Sequence, residues 1–442
     1  MFYNYFDIHK PVKWIMLILS FLKLNSFSQD QSEDNQFYEI APFYNFKQGA
    51  LSITFDDGHP IQFIKVVPLL NERNIPATFY IITCFLRDSA YKKMVFDAYL
   101  AHHEIGSHTV GHYNLTQLNN SDVVSELCQS QKDINALCGK NYCTSLAYPF
   151  GCYNDSITQI AKKYYLSARP VLGSYNSMKS LDQYKLKSWV FAPGKIEIDD
   201  FNHCVEYASA GLWLIEIFHG IDSFGNYPIK LNDLRNHLDY VKTLESVMWF
   251  ATVSSVVKYH EESKSANVVC QDCNDSVYKI RLTHNLNDTI YNLPLSVKLK
   301  IPNHWDSIQV SGGEMLTTQY SNGFQYVLFN AKPNNQLVEI RPKTIYSPEN
   351  NPLVYIDNIS PNPFYNFINI NFRVIHLSYI RFELLDLKGN LQFQHAEVYS
   401  EGSHMQHFGI QTKMLKGIYF LKIIITDNKN RQKIVQMLVR NL

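Results

Sequence analysis

Between residues 48 and 262, strand-sized apolar runs alternate with longer amphipathic segments. GALSITF, ATFYII, HEIGSH, SLAYPF, LKSWVF, LWLIEIF and VMWFAT have the length and the β-branched and aromatic content of strands. PIQFIKVVPLLNERN, DVVSELCQSQKDINALC, DSITQIAKKYY, DDFNHCVEYA and KLNDLRNHLDYVKTL space their apolar residues as helices do, with Asp or Ser near several starts as caps. Such alternation builds parallel strands joined by crossover helices, and no other feature narrows the fold as far. Polar residues able to do chemistry fall where the strands end, as they do in barrels whose sites lie at the carboxyl ends of their strands. The expected fold class is therefore α/β, a TIM-like barrel or a deformed (β/α) barrel over residues 45–262, favoured over an open sheet and followed by two small all-β domains.

The rhythm changes after the polar stretch HEESKSANVV. Residues 267–345 hold only strand-sized runs parted by Asn, Asp, Gly and Pro turns, which predicts an accessory β-sandwich. A second linker, TIYSPENNP, leads into a final β-rich stretch at 353–442. A chain of 442 residues suits two or three such domains. Lys plus Arg and Asp plus Glu both number 40, and no basic block stands out, so nucleic acid is not an expected partner.

At the N-terminus, His9, Lys10 and Lys13 precede the apolar run WIMLILSFL and the small-residue site NSFSQ. That layout predicts a secretory signal peptide over residues 1–28. The run is about half the length that a bilayer-crossing helix needs, and no later stretch is apolar for longer, so no transmembrane span is expected. Eight cysteines remain, and neither their spacing nor their parity fixes a connectivity. Cys270 and Cys273 read as a local disulfide or two thiols, because no second pair is spaced to complete a metal site with them.

Four stretches carry chemistry. LSITFDDGHP ends a strand on two adjacent carboxylates, Asp56 and Asp57. EIGSHTVGH sets His108 and His112 four apart, a spacing that aims both imidazoles to one side if the segment turns helically. Two histidines and one carboxylate form a three-ligand set that leaves a zinc ion an open position; Asp57 could supply the carboxylate, leaving Asp56 free to take a proton. In SLAYPFG, Pro149 and Gly151 can aim the backbone N–H of Phe150 as an oxyanion donor. LWLIEIFHG ends on His219, placed to protonate a leaving group. Alone, the aspartate pair reads as a solvated turn; with three histidines in register, the metal-site reading outweighs it.

In order and spacing, TFDDG, HTVGH, AYPFG and IFHG resemble the polysaccharide deacetylase family, carbohydrate esterase family 4. The resemblance implies a divalent metal held by Asp57, His108 and His112, with Asp56 as general base and His219 as general acid. It also implies an oxyanion region at Tyr148, Pro149 and Phe150, and Ile217 against the acetyl methyl. Zinc is the expected metal, and cobalt or nickel would also suit these ligands. Family members commonly carry in the third motif an arginine that pairs with the base; Ala147 stands there instead. Arg169, in YYLSARPVLG, ends the next strand and is expected to supply that charge to Asp56, with an ordinary ion-pair arginine as the equal alternative. Tyr148 reads equally as a core aromatic. His59 has no assigned role, and Trp189, in a region without a match to the fourth motif, is a candidate cleft wall.

The C-terminal stretch offers a second resemblance. ISPNPFYNFINI, FELLDLKGN, LKGIYFLKIIITDN and KIVQ resemble the sorting domain read by the type IX secretion machinery of Bacteroidota, which implies a secreted or outer-surface protein after signal-peptide cleavage. The expected function is that of a secreted, metal-dependent carbohydrate deacetylase removing N- or O-acetyl groups from an acetylated glycan. A catalytically weakened glycan-binding or adhesion protein on the same fold is the alternative, motivated by Ala147 and the β-rich appendages.

Overall fold

The computed structural model describes residues 37–343 except 195 and 306, and residues 354–362, 364, 367–409, 417–427 and 432–441 of the C-terminal stretch. The expected signal peptide and the whole of the TIYSPENNP linker lie outside the described residues. In chain order the first region contains β1 (Tyr38–Ile40), β2 (Gly49–Phe55), α1 (Val67–Glu72), β3 (Ala77–Ile81), α2 (Ser89–Leu100), β4 (Glu104–Ser107), α3 (Asn120–Cys138) and β5 (Ser145–Ala147). It continues with α4 (Asp155–Ala161), β6 (Ser167–Arg169), β7 (Trp189–Val190), α5 (Ile198–Ala208), β8 (Trp213–Phe218), α6 (Leu231–Thr243), β9 (Met248–Phe250) and α7 (Val253–Ser265).

Strands β2 to β9 form one parallel sheet in the order β6-β5-β4-β3-β2-β8-β7, with β9 also paired to β2. Every residue of β2, β3 and β8 is buried, as expected of strands covered on both faces. The sheet must curl strongly. Four strand steps separate β6 from β2, roughly 19 Å if flat, yet the guanidinium of Arg169 at the end of β6 reaches the carboxylate of Asp56 just past β2. No ladder joins β6 to β7 among the described residues, so the sheet wraps like a barrel without closing.

Two helices were not legible in the sequence. α2, SAYKKMVFDAYL, spreads its apolar residues around most of the helix and buries only Tyr91, Val95 and Ala98, so no single stripe marks it. α7 continues past its valines into HEESKS, which reads as a linker but forms the helix's last turns. Glu262 in that stretch is fully buried and accepts the Leu293 N–H through both carboxylate oxygens, at 3.1 and 3.0 Å.

The middle stretch folds as β10 (Asn267–Cys273), β11 (Tyr278–Thr283), β12 (Leu295–Ile301), β13 (Ile308–Ser311), β14 (Glu314–Ser321), β15 (Phe324–Ala331) and β16 (Asn334–Pro342). They pair antiparallel in two four-stranded sheets, β1-β12-β15-β14 and β10-β11-β16-β13. The first recruits β1, which pairs Tyr38 with Leu299 and Ile40 with Val297. Cys270 and Cys273 form a disulfide within β10. By proximity of residues, the chain through Cys273, Tyr278–Pro302 and Val310–Glu339 forms one compact unit; Asn274–Val277, Asn303–Gln309 and Ile340–Leu442 form a second.

In the second unit, β17 (Val354–Ser360), β18 (Phe367–Val374), β19 (Ser378–Leu385), β20 (Leu391–Tyr399), β21 (Gly402–Gly409), β22 (Gly417–Asp427) and β23 (Gln432–Asn441) form sheets β17-β18-β21 and β20-β19-β22-β23. Alternate residues such as Ile368, Ile370 and Phe372 on β18 and Ile380, Phe382 and Leu384 on β19 share one core, the period-two pattern of sheets with one buried face.

Candidate metal centre and active site

The site is assembled at the carboxyl ends of β2, β4, β5, β6 and β8. Where β2 stops, Asp56 keeps the ladder by donating its N–H to Phe218 O at 2.9 Å, and Asp57 then turns with φ 68°. This reversal brings both carboxylates to one side, although adjacent residues of an extended strand point apart. Gly58, also at positive φ, completes the turn; a Cβ there would lie 2.4 Å from the Tyr91 hydroxyl, so glycine is required by both conformation and space.

The HTVGH segment does not turn helically. Thr109 and His112 adopt φ of 66° and 58°, and Glu126 of α3 accepts the N–H groups of Val110 and Gly111 at 2.9 and 2.8 Å. That carboxylate shapes the turn that carries the two histidines. Nε2 of His108 and Nε2 of His112 each lie 3.6 Å from Asp57 Oδ1, and the candidate donor atoms of the three residues fall within 4.8 Å of one another. Donors about 2 Å from a shared tetrahedral zinc ion stand roughly 3.3 Å apart, so the set fits a divalent metal. His108 Nδ1 is 2.8 Å from Ala147 O; an N–H donated there leaves Nε2 as the lone-pair donor. Burial pushes the His108 imidazolium pKa down to about 4 and also lowers that of His112, which favours the neutral form that ligates.

Asp56 is the other buried carboxylate. Burial alone would raise its pKa, but the Arg169 guanidinium, with His108 and His219 nearby, holds it below the ordinary range. Arg169 Nη2 donates to Asp56 Oδ1. Parallel pairing makes Ala147 of β5 and Arg169 of β6 direct partners, so the arginine stands one strand from the expected position at the same height in the barrel. Beneath it lies the ring of Tyr80, with the guanidinium carbon 4.7 Å from the ring centre. Gly106 on β4 makes room for that ring: a Cβ would lie 2.5 Å from Tyr80 Cε1 and 2.9 Å from Ser145 Oγ.

His219, just beyond β8, places Nε2 3.9 Å from Asp56 Oδ2, while its Nδ1 is buried without a partner among the described residues. Ile217, two residues earlier, faces the same side and is fully buried. Phe150 adopts φ 60° between Pro149 and Gly151, and its ring, 63% exposed, lies 4.6 Å from that of His112. Tyr148 does not face this surface: it is buried, stacks on Tyr153 at 5.4 Å and donates to Tyr184 O, so packing decides for its core reading. Trp189 is not a cleft wall either. It pairs with Glu216, whose carboxylate meets His237 at 2.9 Å on the opposite face of β8 from Ile217 and His219.

Several contributors had no motif. Tyr227, 55% exposed, presents its ring 6.0 Å from that of His219. Gln62 is fully buried, and its Nε2 donates to Asp56 O and His219 O, each at 2.7 Å. One signal could have found it: Gln62 falls on the apolar helical stripe with Val66, Leu69 and Leu70, where a polar residue is out of place. Glu126, Tyr80 and Gly106 had none, because their partners come from other elements. A cleft of about 550 Å³ runs past Gly58 and His59, lined also by Cys84, Phe85, Tyr91 and Met94.

Residues 44–168 match the family model described as polysaccharide deacetylase, and residues 358–437 match that of a secretion system C-terminal sorting domain. Over 333 residues the chain is 27% identical to a gellan lyase of Bacillus sp, covering 69% of this chain and 13% of that protein. Over 125 residues it is 31% identical to a chitooligosaccharide deacetylase of Azorhizobium caulinodans, covering 28% of this chain and 58% of that one. The chain thus spans less than two thirds of each of these relatives. A peptidoglycan-N-acetylglucosamine deacetylase of Bacillus cereus is 29% identical over 97 residues, 21% of this chain and 34% of that protein. Among solved structures, a family 4 carbohydrate esterase from Streptomyces lividans in complex with acetate overlaps 46% of this chain and 92% of its own, with a TM-score of 0.35 and 16% identity. The chain therefore carries a polysaccharide deacetylase domain followed by a sorting domain that implies a secreted or outer-surface protein. No helix among the described residues is long and apolar enough to cross a membrane.

Proposed function

We propose that this protein is a secreted, metal-dependent carbohydrate deacetylase that hydrolyses acetyl groups on a glycan, with the N-acetyl linkage favoured by its chitooligosaccharide and peptidoglycan deacetylase relatives. The observation that carries the reading is the Arg169 to Asp56 contact beside Ala147. A barrel reduced to a binding scaffold has no need to keep a base charged after its usual arginine is gone. Here the charge is supplied from the neighbouring strand.

Asp57, His108 and His112 would hold the metal, zinc by preference of the ligand set. Bound there, the metal supplies Lewis acidity, which lowers the pKa of water and polarises a carbonyl. Asp56, kept ionised by Arg169, takes the proton from the attacking water. The Phe150 N–H stabilises the charge that develops on the acetyl oxygen, and Ile217 walls the acetyl methyl. His219 donates a proton to the departing amine or hydroxyl through Nε2, the nitrogen nearest Asp56. The exposed rings of Phe150 and Tyr227, near His112 and His219, offer apolar faces to sugar rings on either side of the reacting unit.

The test is acetate release from a panel of acetylated glycans with zinc or cobalt supplied, comparing the wild type with Asp56→Asn and His219→Ala. Each substitution should lower kcat by about 10²-fold or more, the scale of general acid–base catalysis. Asp57→Ala and His112→Ala should each lose most of the bound metal by elemental analysis, since one ligand of three is removed. A metal-loaded wild type that binds glycans but releases no acetate from any of them would favour the adhesion reading.

A further inference from the structure

We propose that Gln62 is a positioning residue that sets the separation of base and acid, an inference that rests on the deacetylase reading above. The β2–β8 ladder ends at the bond from Asp56 N to Phe218 O. Beyond that bond the two chains part, Asp57 into its left-handed turn and His219 into the loop that follows β8. Their relative position is therefore no longer fixed by sheet pairing at the point where the chemistry needs it. Gln62 spans this gap. Its side-chain amide has two N–H donors, and one goes to the carbonyl of Asp56 and the other to that of His219, both at 2.7 Å.

Three further observations set this contact apart from packing. Gln62 is fully buried, and its Oε1 has no partner among the described residues, a desolvation cost that a methionine or leucine filling the same space would avoid. The residue opens a wide helical turn, Gln62–Val66, of a kind found often at functional sites. From the same turn, Lys65 reaches Asp222 Oδ2 at 3.1 Å in the loop after β8. One short helical segment thus grips the segment beyond β2 and the segment beyond β8. No other uncharged side chain gives both donors with this reach: asparagine is one methylene too short, and glutamate at neutral pH offers only acceptors to two carbonyls.

The experiment compares wild type, Gln62→Met and Gln62→Glu in acetate release, with zinc per chain measured for each. Small misplacements of reacting groups cost roughly 10²-fold in rate. In both variants kcat should fall between about tenfold and a hundredfold, with KM and zinc content within about twofold of wild type. Gln62→Asn should fail to restore kcat, although it keeps the amide. A kcat within twofold of wild type in Gln62→Met and Gln62→Glu overturns the proposal, as does a loss that follows zinc content or appears only in KM. Failure of both variants to fold also overturns it, since it would assign Gln62 to stability and not to turnover. An inactive wild type defeats the deacetylase reading itself, whereas an active wild type with unaffected variants defeats the Gln62 assignment alone.

Discussion

At the scale of single residues, the proposed base Asp56 and its charge partner Arg169 come from strands four positions apart in the sheet order, so no local pattern links them. What could be read was the absence at Ala147 and one arginine at the end of the next strand. Burial works against an ionised Asp56, and the arginine offsets it. Arg169→Ala should therefore lower turnover by about 10²-fold, the scale of a lost general base, while the metal stays bound. Because residues 147 and 169 are partners at one height, adding Ala147→Arg to Arg169→Ala should recover part of the lost rate. The checks are kcat and metal content across the three proteins; a double variant no faster than Arg169→Ala would show that the height of the charge does not suffice. Asp56, Asp57, His108, His112 and His219 could be named as candidates because strand ends place them in short motifs. Tyr80 and Glu126 could not, because each acts on a partner that only the fold brings near, and Gln62 left one trace, a polar residue on an apolar helical stripe.

At the scale of elements, the alternating pattern gave the strands of the barrel and most helices, while α7 was hidden by its composition. Its first half carries β-branched valines, which favour helix less than most residues do, and its charged half reads as a linker. Glycine in β4 was equally silent. Gly106 lets the Tyr80 ring occupy the interior beneath Arg169, an arrangement that depends on how β3, β4 and β5 lie side by side. Gly106→Ala should cost about 1–3 kcal/mol by overpacking. It should also lower kcat, since displaced Tyr80 no longer supports the guanidinium. Thermal unfolding gives the first effect and acetate release the second; a loss of stability with kcat unchanged would separate Tyr80 from the positioning of Arg169.

At the scale of the molecule, most of the middle β-region shares one compact unit with the barrel, and the contacts that join them are long in sequence. Tyr259 of α7 donates to Ala41 O at 2.9 Å and accepts the Ser296 N–H at 3.3 Å, while the Asn45 N–H donates to Ser296 Oγ at 2.7 Å. Residues so far apart leave no trace in a local reading of the chain. We expect a fragment of residues 37–266 to melt below one of residues 37–343, because removal of β12 exposes these groups. Glu262 gives this junction a pH dependence. Burial raises its pKa to about 7, with the N–H groups of Leu293 and Asn292 and the charges of Lys258 and Lys332 opposing. A carboxyl whose folded pKa exceeds its unfolded value contributes stability fully below about 4.5 and loses it as pH rises through about 7, because the unfolded chain gives up its proton first. His260, lowered by burial to about 4, acts in the opposite sense: its contribution is present above about 6.5 and lost as pH falls toward 4. The wild-type profile mixes the two, but Glu262→Gln isolates one, since its amide oxygen can still accept from Leu293 and cannot ionise. The variant should melt near the wild type at pH 5 and roughly 2–6 °C above it at pH 8. Equal melting temperatures at both pH values would mean that the Glu262 carboxylate is not held against its charge in the folded protein.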